Sequence, residues 1–235
     1  MTLPTVSFPE YECQLHSIKK PVKFRPFLVR EEKILLMALE TEEQTEIVRS
    51  MKQILKNCNL STHVNIETLP MFDVEFWFLN LRARSIGEVI SLNINCDTCE
   101  AKSDVTIQLD EITVDVSNAI DPLIPITESI SVKLRYPTLD RMFQYDAMAQ
   151  SADQLFKMVI DSIESIVDGE DVFEAKLHTK KELEDFVLSL TQEQFKNIIN
   201  FFTNMPRVRH IVNFTCTDCE KANVLQLEGV RNFFT

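Results

Sequence analysis

The chain contains very little glycine: Gly87, Gly169 and Gly229 are the three glycines among 235 residues. Neither the glycine-rich loop of P-loop NTPases nor the G-x-G-x-x-G fingerprint of dinucleotide-binding folds can be written with glycines so far apart. The scarcity of glycine also argues against a large Rossmann or TIM-barrel enzyme with many tight loops. The sequence therefore excludes nucleotide sites built on glycine-rich loops.

Long apolar runs are missing as well. No run approaches the roughly 18 consecutive apolar residues that a membrane span needs. The first nine residues lack a basic segment followed by an apolar stretch, which is the pattern of a secretory signal. We therefore expect no membrane span and a reducing, cytoplasmic environment.

Positive charge is in deficit. The 24 basic side chains are outnumbered by 36 acidic ones, which gives a formal net charge of −12. Because binding to phosphates requires clustered positive charge, this balance disfavours nucleic acid as a partner. One local exception is the basic stretch 16–30 with its interleaved phenylalanines, for which a solvated hairpin is the preferred interpretation and a basic-aromatic patch the alternative.

The chain does contain two C-x-x-C pairs, Cys96-Asp-Thr-Cys99 and Cys216-Thr-Asp-Cys219, each followed directly by glutamate. Four thiolates are a complete ligand set for a tetrahedral structural Zn²⁺. Such a closed site leaves no coordination position for a substrate, so it indicates architecture rather than catalysis. Because the pairs are more than a hundred residues apart, a shared metal would join the middle of the chain to its C-terminal part.

The segments around both pairs alternate between apolar and polar residues, which predicts two β-hairpins with the cysteines at their tips. Two such hairpins form a split zinc ribbon. Redox-active pairs, disulfides and four free thiols are the alternatives. A thioredoxin-like pair would begin a helix after a strand, whereas here a second strand follows. Disulfides require an oxidising compartment.

Catalytic motifs are not evident elsewhere. The four histidines form no H-E-x-x-H pattern, and the spaced carboxylates are of the kind that helical surfaces produce by chance. Cys13 and His16 have C-x-x-H spacing, but the four-cysteine ligand set is already complete without them. We therefore expect a protein without enzymatic activity and without catalytic residues.

The overall pattern predicts an α+β protein. Helices are expected from 31, from 70, and after the capping-box patterns at Thr41, Ser151, Thr179 and Thr191. The expected organisation has four segments. These are an N-terminal hairpin with helices at 1–88, the first zinc-knuckle hairpin with further strands at 89–136, a helical insertion at 137–205, and the second zinc-knuckle hairpin at 206–235.

Two stretches, 23–38 and 69–88, resemble the baseplate hub and hub assembly proteins of T-even-like tailed bacteriophages. They read Lys-Phe-Arg-Pro-Phe-Leu-Val-Arg-Glu-Glu-Lys-Ile-Leu-Leu-Met-Ala and Leu-Pro-Met-Phe-Asp-Val-Glu-Phe-Trp-Phe-Leu-Asn-Leu-Arg-Ala-Arg-Ser-Ile-Gly-Glu. The resemblance implies a hub assembly chaperone or minor virion component. It would bind hub or tape-measure proteins in the host cytoplasm during assembly, and could remain in the tail baseplate. A zinc-ribbon protein associated with nucleic acid or transcription is the alternative function.

The same two stretches are rich in aromatic and arginine side chains, which are frequent at the centres of protein interfaces. Three consecutive aromatic residues cannot all lie on one face of a helix, so at least one is expected to point away from the main core. The predicted partner surface consists of Arg25, Phe27, Arg30, Phe72, Phe76, Trp77 and Phe78. Packing of these side chains in a core that the family shares is the competing interpretation.

Overall fold

The computed structural model describes residues 7–41, 43–146 and 152–229. The helices in this part of the chain are α1 (Val29–Thr41), α2 (Gln44–Cys58), α3 (Met71–Ser85), α4 (Leu139–Asp146), α5 (Ala152–Ser162), α6 (Lys180–Leu188) and α7 (Gln192–Thr203). The strands are β1 (Tyr11–Cys13), β2 (Val22–Phe24), β3 (Val89–Asn95), β4 (Lys102–Gln108), β5 (Thr113–Asp115), β6 (Leu123–Pro125), β7 (Ile130–Leu134), β8 (Ile163–Asp168), β9 (Asp171–Glu174), β10 (Arg207–Thr215) and β11 (Ala222–Glu228). The predicted mixed α+β class is confirmed.

These elements form two compact units. The first contains the chain up to Asp115 together with the part from Arg207 onward, and the second contains Val116–Pro206. The second unit is thus inserted into the first, between β5 and β10. Each unit has its own buried apolar residues.

Helix α3 forms the centre of the first unit. It is apolar around most of its circumference, and Phe72, Trp77 and Phe78 on it are fully buried. A helix with this pattern has to be covered on several sides. Strands β1, β5 and β10 and helix α2 pack against it. Complete burial of each large aromatic side chain stabilises the fold by about 1.5–3 kcal/mol.

The N-terminal hairpin, β1 with β2, is antiparallel with Tyr11 opposite Phe24, as predicted. It is attached to α3 through Asp73, whose carboxylate accepts hydrogen bonds from the backbone N–H groups of His16 at 2.8 Å and Ser17 at 2.9 Å. Asp73 is completely buried, and a buried carboxylate has to be hydrogen-bonded in this way.

Two of the predicted capping boxes are confirmed, those at Thr179 and Thr191, where the threonine and the residue three positions later cap each other at the starts of α6 and α7. The box expected at Thr41 is wrong. Thr41 ends α1 with its hydroxyl bonded to the Ala38 carbonyl, and α2 begins after Glu43. The box expected at Ser151 lies outside the described residues.

The second unit contains an antiparallel sheet of order β6-β7-β8-β9. Its apolar side packs against the helices through buried residues such as Val132, Val159 and Phe201. The segment 137–205, expected to be a helical insertion, contains strands β8 and β9 besides its helices. The two strands join through a tight turn in which Gly169 has φ of +60°, a conformation that glycine adopts without strain.

Candidate metal centre

The two cysteine pairs lie at the tips of two β-hairpins. Strand β3 pairs with β4 from Val89 opposite Gln108 to Asn95 opposite Lys102. Strand β10 pairs with β11 up to Thr215, which lies opposite Ala222. Alternate side chains of each strand are buried, as the alternation in sequence predicted.

The backbone of the two tips is nearly the same. In the first, the Cys96 N–H donates to the Ala101 carbonyl at 2.9 Å and the Glu100 N–H donates to the Cys96 carbonyl at 2.9 Å. In the second, the equivalent bonds from Cys216 and Glu220 measure 2.9 and 3.1 Å. Both turns therefore aim the cysteine side chains in a corresponding way.

Each tip contains one residue in the left-handed region of backbone space. Glu100 has φ of +60° and Glu220 has φ of +56°. A non-glycine residue in this region costs on the order of 1–3 kcal/mol unless its surroundings hold it there. The same left-handed position follows each C-x-x-C pair, so the two tips share one turn geometry, and the choice of glutamate there has no structural explanation.

The hairpins bring all four predicted cysteines together. Their sulfur atoms all lie within 4.8 Å of one another. Across the two hairpins, the Sγ atoms of Cys96 and Cys219 are 3.7 Å apart and those of Cys99 and Cys216 are 3.6 Å apart. A tetrahedral ion with metal–sulfur bonds of about 2.3 Å would space its ligand atoms by about 3.8 Å, whereas a disulfide requires about 2.05 Å. The donor set and its spacing fit a tetrahedral metal.

The thiols are electrostatically coupled. Backbone N–H groups, that of Thr98 first, lower the pKa of Cys96 to about 6, and N–H groups in the second turn also lower the pKa of Cys216. In Cys99 and Cys219 a backbone N–H again lowers the pKa, but the Cys96 and Cys216 thiols together with partial desolvation outweigh it, and the pKa is raised, to about 12 in Cys99. Four thiolates this close repel one another, and a divalent cation would compensate their charge.

Asn223 on β11 links the second hairpin to the first, and the sequence analysis missed it. Its Oδ1 accepts from the Asp97 N–H at 3.2 Å and lies 3.5 Å from the Cys96 sulfur, while its Nδ2 donates to the Lys221 carbonyl at 2.8 Å. The sequence contains a signal for this role, because Asn223 is the polar member of an inward-facing series of β11 that continues with Leu225 and Leu227. A polar residue at a buried strand position indicates a specific hydrogen-bond role.

The aromatic part of the predicted partner surface lies mainly in the core. Phe72, Trp77 and Phe78 are buried within the first unit, and Phe27 and Phe76 are half-buried. The aromatic side chains on different faces of α3 are covered because strands and helix α2 pack against several sides of this helix. Burial therefore favours the competing interpretation, a shared core, for these side chains.

The two arginines of the predicted partner surface differ in exposure. Arg25 is buried and forms an ion pair with the fully buried Glu31, with Nη2 3.1 Å from Oε1, and it also donates to the Asn57 carbonyl at 2.9 Å. Hydrogen bonds from Arg25, Arg30 and the Leu28 N–H outweigh the effect of burial and lower the pKa of Glu31 to about 2. Arg30 is itself exposed. Partner binding through this surface stays a prediction, with Arg30 as its most accessible residue.

Comparison with known protein families gives a match over residues 8–235 to the family described as T4 bacteriophage base plate protein. The chain belongs to this family. The expected kinship with T-even-like baseplate proteins is thereby confirmed, and membership in a phage baseplate family indicates a structural component of the virion tail. A search of curated proteins and a search of solved structures each found no match.

Hydropathy adds one further observation on this baseplate protein. Among the helices of residues 7–41, 43–146 and 152–229, none combines the length and the apolar character that crossing a bilayer requires.

Proposed function

We propose that this baseplate protein is a non-enzymatic hub component or hub assembly factor that binds other tail proteins, and that a structural Zn²⁺ stabilises its fold. The observation that carries the proposal is the cluster of four sulfur atoms drawn from two hairpins of a baseplate-family chain. Hub and tape-measure proteins are the proposed partners.

The position of the cluster explains what a metal would do. The first unit consists of two stretches of chain separated by the insertion of Val116–Pro206. Cys96 and Cys99 belong to the earlier stretch, and Cys216 and Cys219 to the later one. A metal held by all four would close the unit across that insertion, and binding free energy of this kind becomes folding free energy. Four protein ligands leave no open position, so the site supports structure rather than catalysis.

Zinc is the metal that this donor set suits best, although thiolates also bind iron. Metal analysis of protein purified without chelator should find about one zinc per chain, and X-ray absorption should show four sulfur neighbours at about 2.3 Å. Protein that contains no stoichiometric metal would contradict the structural-zinc part of the proposal. An absorption spectrum typical of iron–thiolate coordination would instead identify the bound metal as iron.

The role in the tail requires its own test. Quantitative mass spectrometry of purified baseplates and of finished virions should detect this chain. Equal copy numbers in both would identify a permanent component, and presence in assembly intermediates alone would identify an assembly factor. Absence from every baseplate intermediate would contradict the proposal.

A further inference from the structure

An open cavity of about 790 Å³ lies in the second unit, on the side of the sheet that faces away from Val132 and Leu134. Its floor includes residues that are directly opposite one another on neighbouring strands: Leu123 and Lys133 on β6 and β7, and Ser165 and Glu174 on β8 and β9. The end of α5 and the start of α6 form its walls.

Positive charge is concentrated at this cavity. Of the eight lysines and arginines in 116–206, five line it, together with His178, whereas only three of the fifteen acidic residues in the same range do. The five are Lys133, Arg135, Arg141, Lys176 and Lys180. We call this surface the cationic groove. It stands out because the unit as a whole is acidic.

The acidic residues of the groove do not neutralise it. Asp161 alone pairs with both Arg141 and Lys180, and its backbone carbonyl accepts from Arg135 at 2.9 Å. Lys133 pairs with Glu164 at 2.7 Å and Lys176 pairs with Glu174, with all four side chains about half exposed or more. Exposed ion pairs contribute only about 0–1 kcal/mol each. Carboxylates of a partner could therefore replace these two pairs at little cost.

The groove is bordered by an open sheet edge with apolar side chains. Strand β9 is the last strand of its sheet, and all four of its residues are exposed. Val172 on β9 is 60% exposed and Leu123 is 46% exposed, although both line the groove. Since Leu123 is on β6 and Val172 on β9, the two edge strands of the sheet, apolar contacts are available on both sides of the groove.

We propose that the cationic groove binds an extended acidic segment of another baseplate protein, with apolar residues between its carboxylates, which lies across the groove-facing side of the sheet. Its carboxylates would meet the lysines and arginines, and its apolar side chains would contact the exposed Val172 and Leu123. The inference rests on the proposed function, since it names the surface and the partner class. Nucleic acid is disfavoured because the unit carries nearly twice as many acidic as basic residues.

The test uses the full chain and a fluorescein-labelled ten-residue peptide of alternating glutamate and valine. A lysine–valine peptide and a ten-residue oligothymidylate are the comparison probes. Two double variants with the same change in net charge are compared: Lys133→Glu with Lys176→Glu in the groove, and Lys157→Glu with Lys196→Glu at exposed positions that do not line it. Melting curves establish that both variants are folded.

The acidic peptide should bind the wild type, bind the groove variant at least tenfold more weakly, and bind the control variant within twofold of the wild type. Binding should weaken with salt, and amide hydrogen exchange should slow in Asp171–Glu174. Absence of binding up to millimolar peptide, equal loss in both variants, or tighter binding of the oligothymidylate would overturn the proposal.

Baseplate incorporation separates this inference from the proposed function. If wild-type protein enters baseplates and the groove variant enters them equally well, the groove assignment fails while the function stands. If the wild type itself is absent from finished baseplates and from every assembly intermediate, the proposed function fails. Reduced incorporation of the groove variant, with normal incorporation of the control variant, would support the groove.

Discussion

The two cysteine hairpins share one tip geometry but differ in what supports them. The hairpin of β10 and β11 extends into a three-stranded sheet with β5, whereas β3 and β4 form a two-stranded sheet of their own. At the base of the second hairpin, Glu228 meets both Arg207 and Arg209, and Arg209 also reaches Asp115 at 3.4 Å. The two hairpins therefore hold their cysteines in the same geometry, but the strands and ion pairs that support each hairpin differ.

This difference indicates which hairpin depends more on the proposed metal for its stability. Neighbouring strands and ion pairs hold the second hairpin independently of the tip, but the first hairpin has fewer such contacts among the described residues. Removal of the metal should loosen β3 and β4 first. Local stability follows the density of such supporting contacts.

The largest effect is expected from loss of a metal ligand. Cys96→Ser and Cys216→Ser should each lower the free energy of unfolding by more than about 3 kcal/mol, because each opens the site that joins the two stretches of the first unit. Thermal unfolding with and without chelator measures the loss, and hydrogen exchange should show faster opening of β3 and β4 than of β10 and β11.

Cys58→Ala is the matched control. Cys58 is a buried cysteine far in sequence from the two pairs, and burial raises the pKa of its thiol to about 11. This variant should lose some core packing but keep its metal content. Ligand variants that melt like the wild type in the presence and absence of chelator would show that the metal is dispensable.

The second prediction concerns the ion pairs at the base of the second hairpin. Glu228→Gln should destabilise the protein by about 1–1.5 kcal/mol, a value reduced because the side chains are about one-third exposed. Asp104→Asn is the comparison on the first hairpin, where Asp104 accepts a hydrogen bond from Asn93 at an exposed position. It should change stability by less than about 0.5 kcal/mol, and chemical denaturation measures both.

The pH dependence of Glu228 provides a check on its charge. Burial alone would raise its pKa, but Arg207 and Arg209 outweigh that effect and lower it below the ordinary value of 4.5. The stabilisation is therefore present above the ordinary pKa and is lost as the pH falls through the depressed folded value. Wild type and Glu228→Gln should converge in stability at low pH, and a constant difference down to pH 2 would contradict the charge-based explanation.

The third prediction tests the link between the hairpins. Asn223→Ala should cost about 1 kcal/mol, since it leaves the Asp97 N–H without its acceptor and removes one of the two hydrogen bonds that the Lys221 carbonyl accepts. It should also speed metal loss to a chromophoric chelator by about tenfold, because residues that hold metal ligands in place affect affinity. Asn213→Ala, at an exposed position of β10, is the control. If the Asn223→Ala variant loses its metal at the wild-type rate, Asn223 contributes to the stability of the hairpins but not to metal retention.

Sequence reasoning located the candidate site well because its signals are local. The C-x-x-C pairs and their alternating flanks predicted both hairpins and the cysteine cluster. Thr179 and Thr191 likewise gave correct helix starts, since a capping box depends on only four residues. Thr41 failed because a helix that already included it supplied a competing hydrogen bond from its hydroxyl to Ala38.

The features that sequence reasoning missed depend on tertiary context. The β8–β9 hairpin follows helix α5 without a break, and its signal was the Asp168-Gly169 turn between apolar segments. The burial of Trp77 and Phe78 could not be inferred from α3 alone, since it depends on how many elements surround that helix. The Arg25–Glu31 pair also requires the fold, because a charge cluster at a helix start is usually solvated.

The smallest effect, and one of opposite sign, is expected at Ser103. This residue holds the position in the first hairpin that Asn223 holds in the second, three residues after the glutamate of its tip. It is buried, and its hydroxyl has no hydrogen-bond partner among the described residues. A buried hydroxyl without a partner costs free energy, so Ser103→Ala should leave stability unchanged or raise it by up to about 1 kcal/mol. Chemical denaturation measures the change, and a clear loss of stability would show that Ser103 has a partner when the site is loaded with metal.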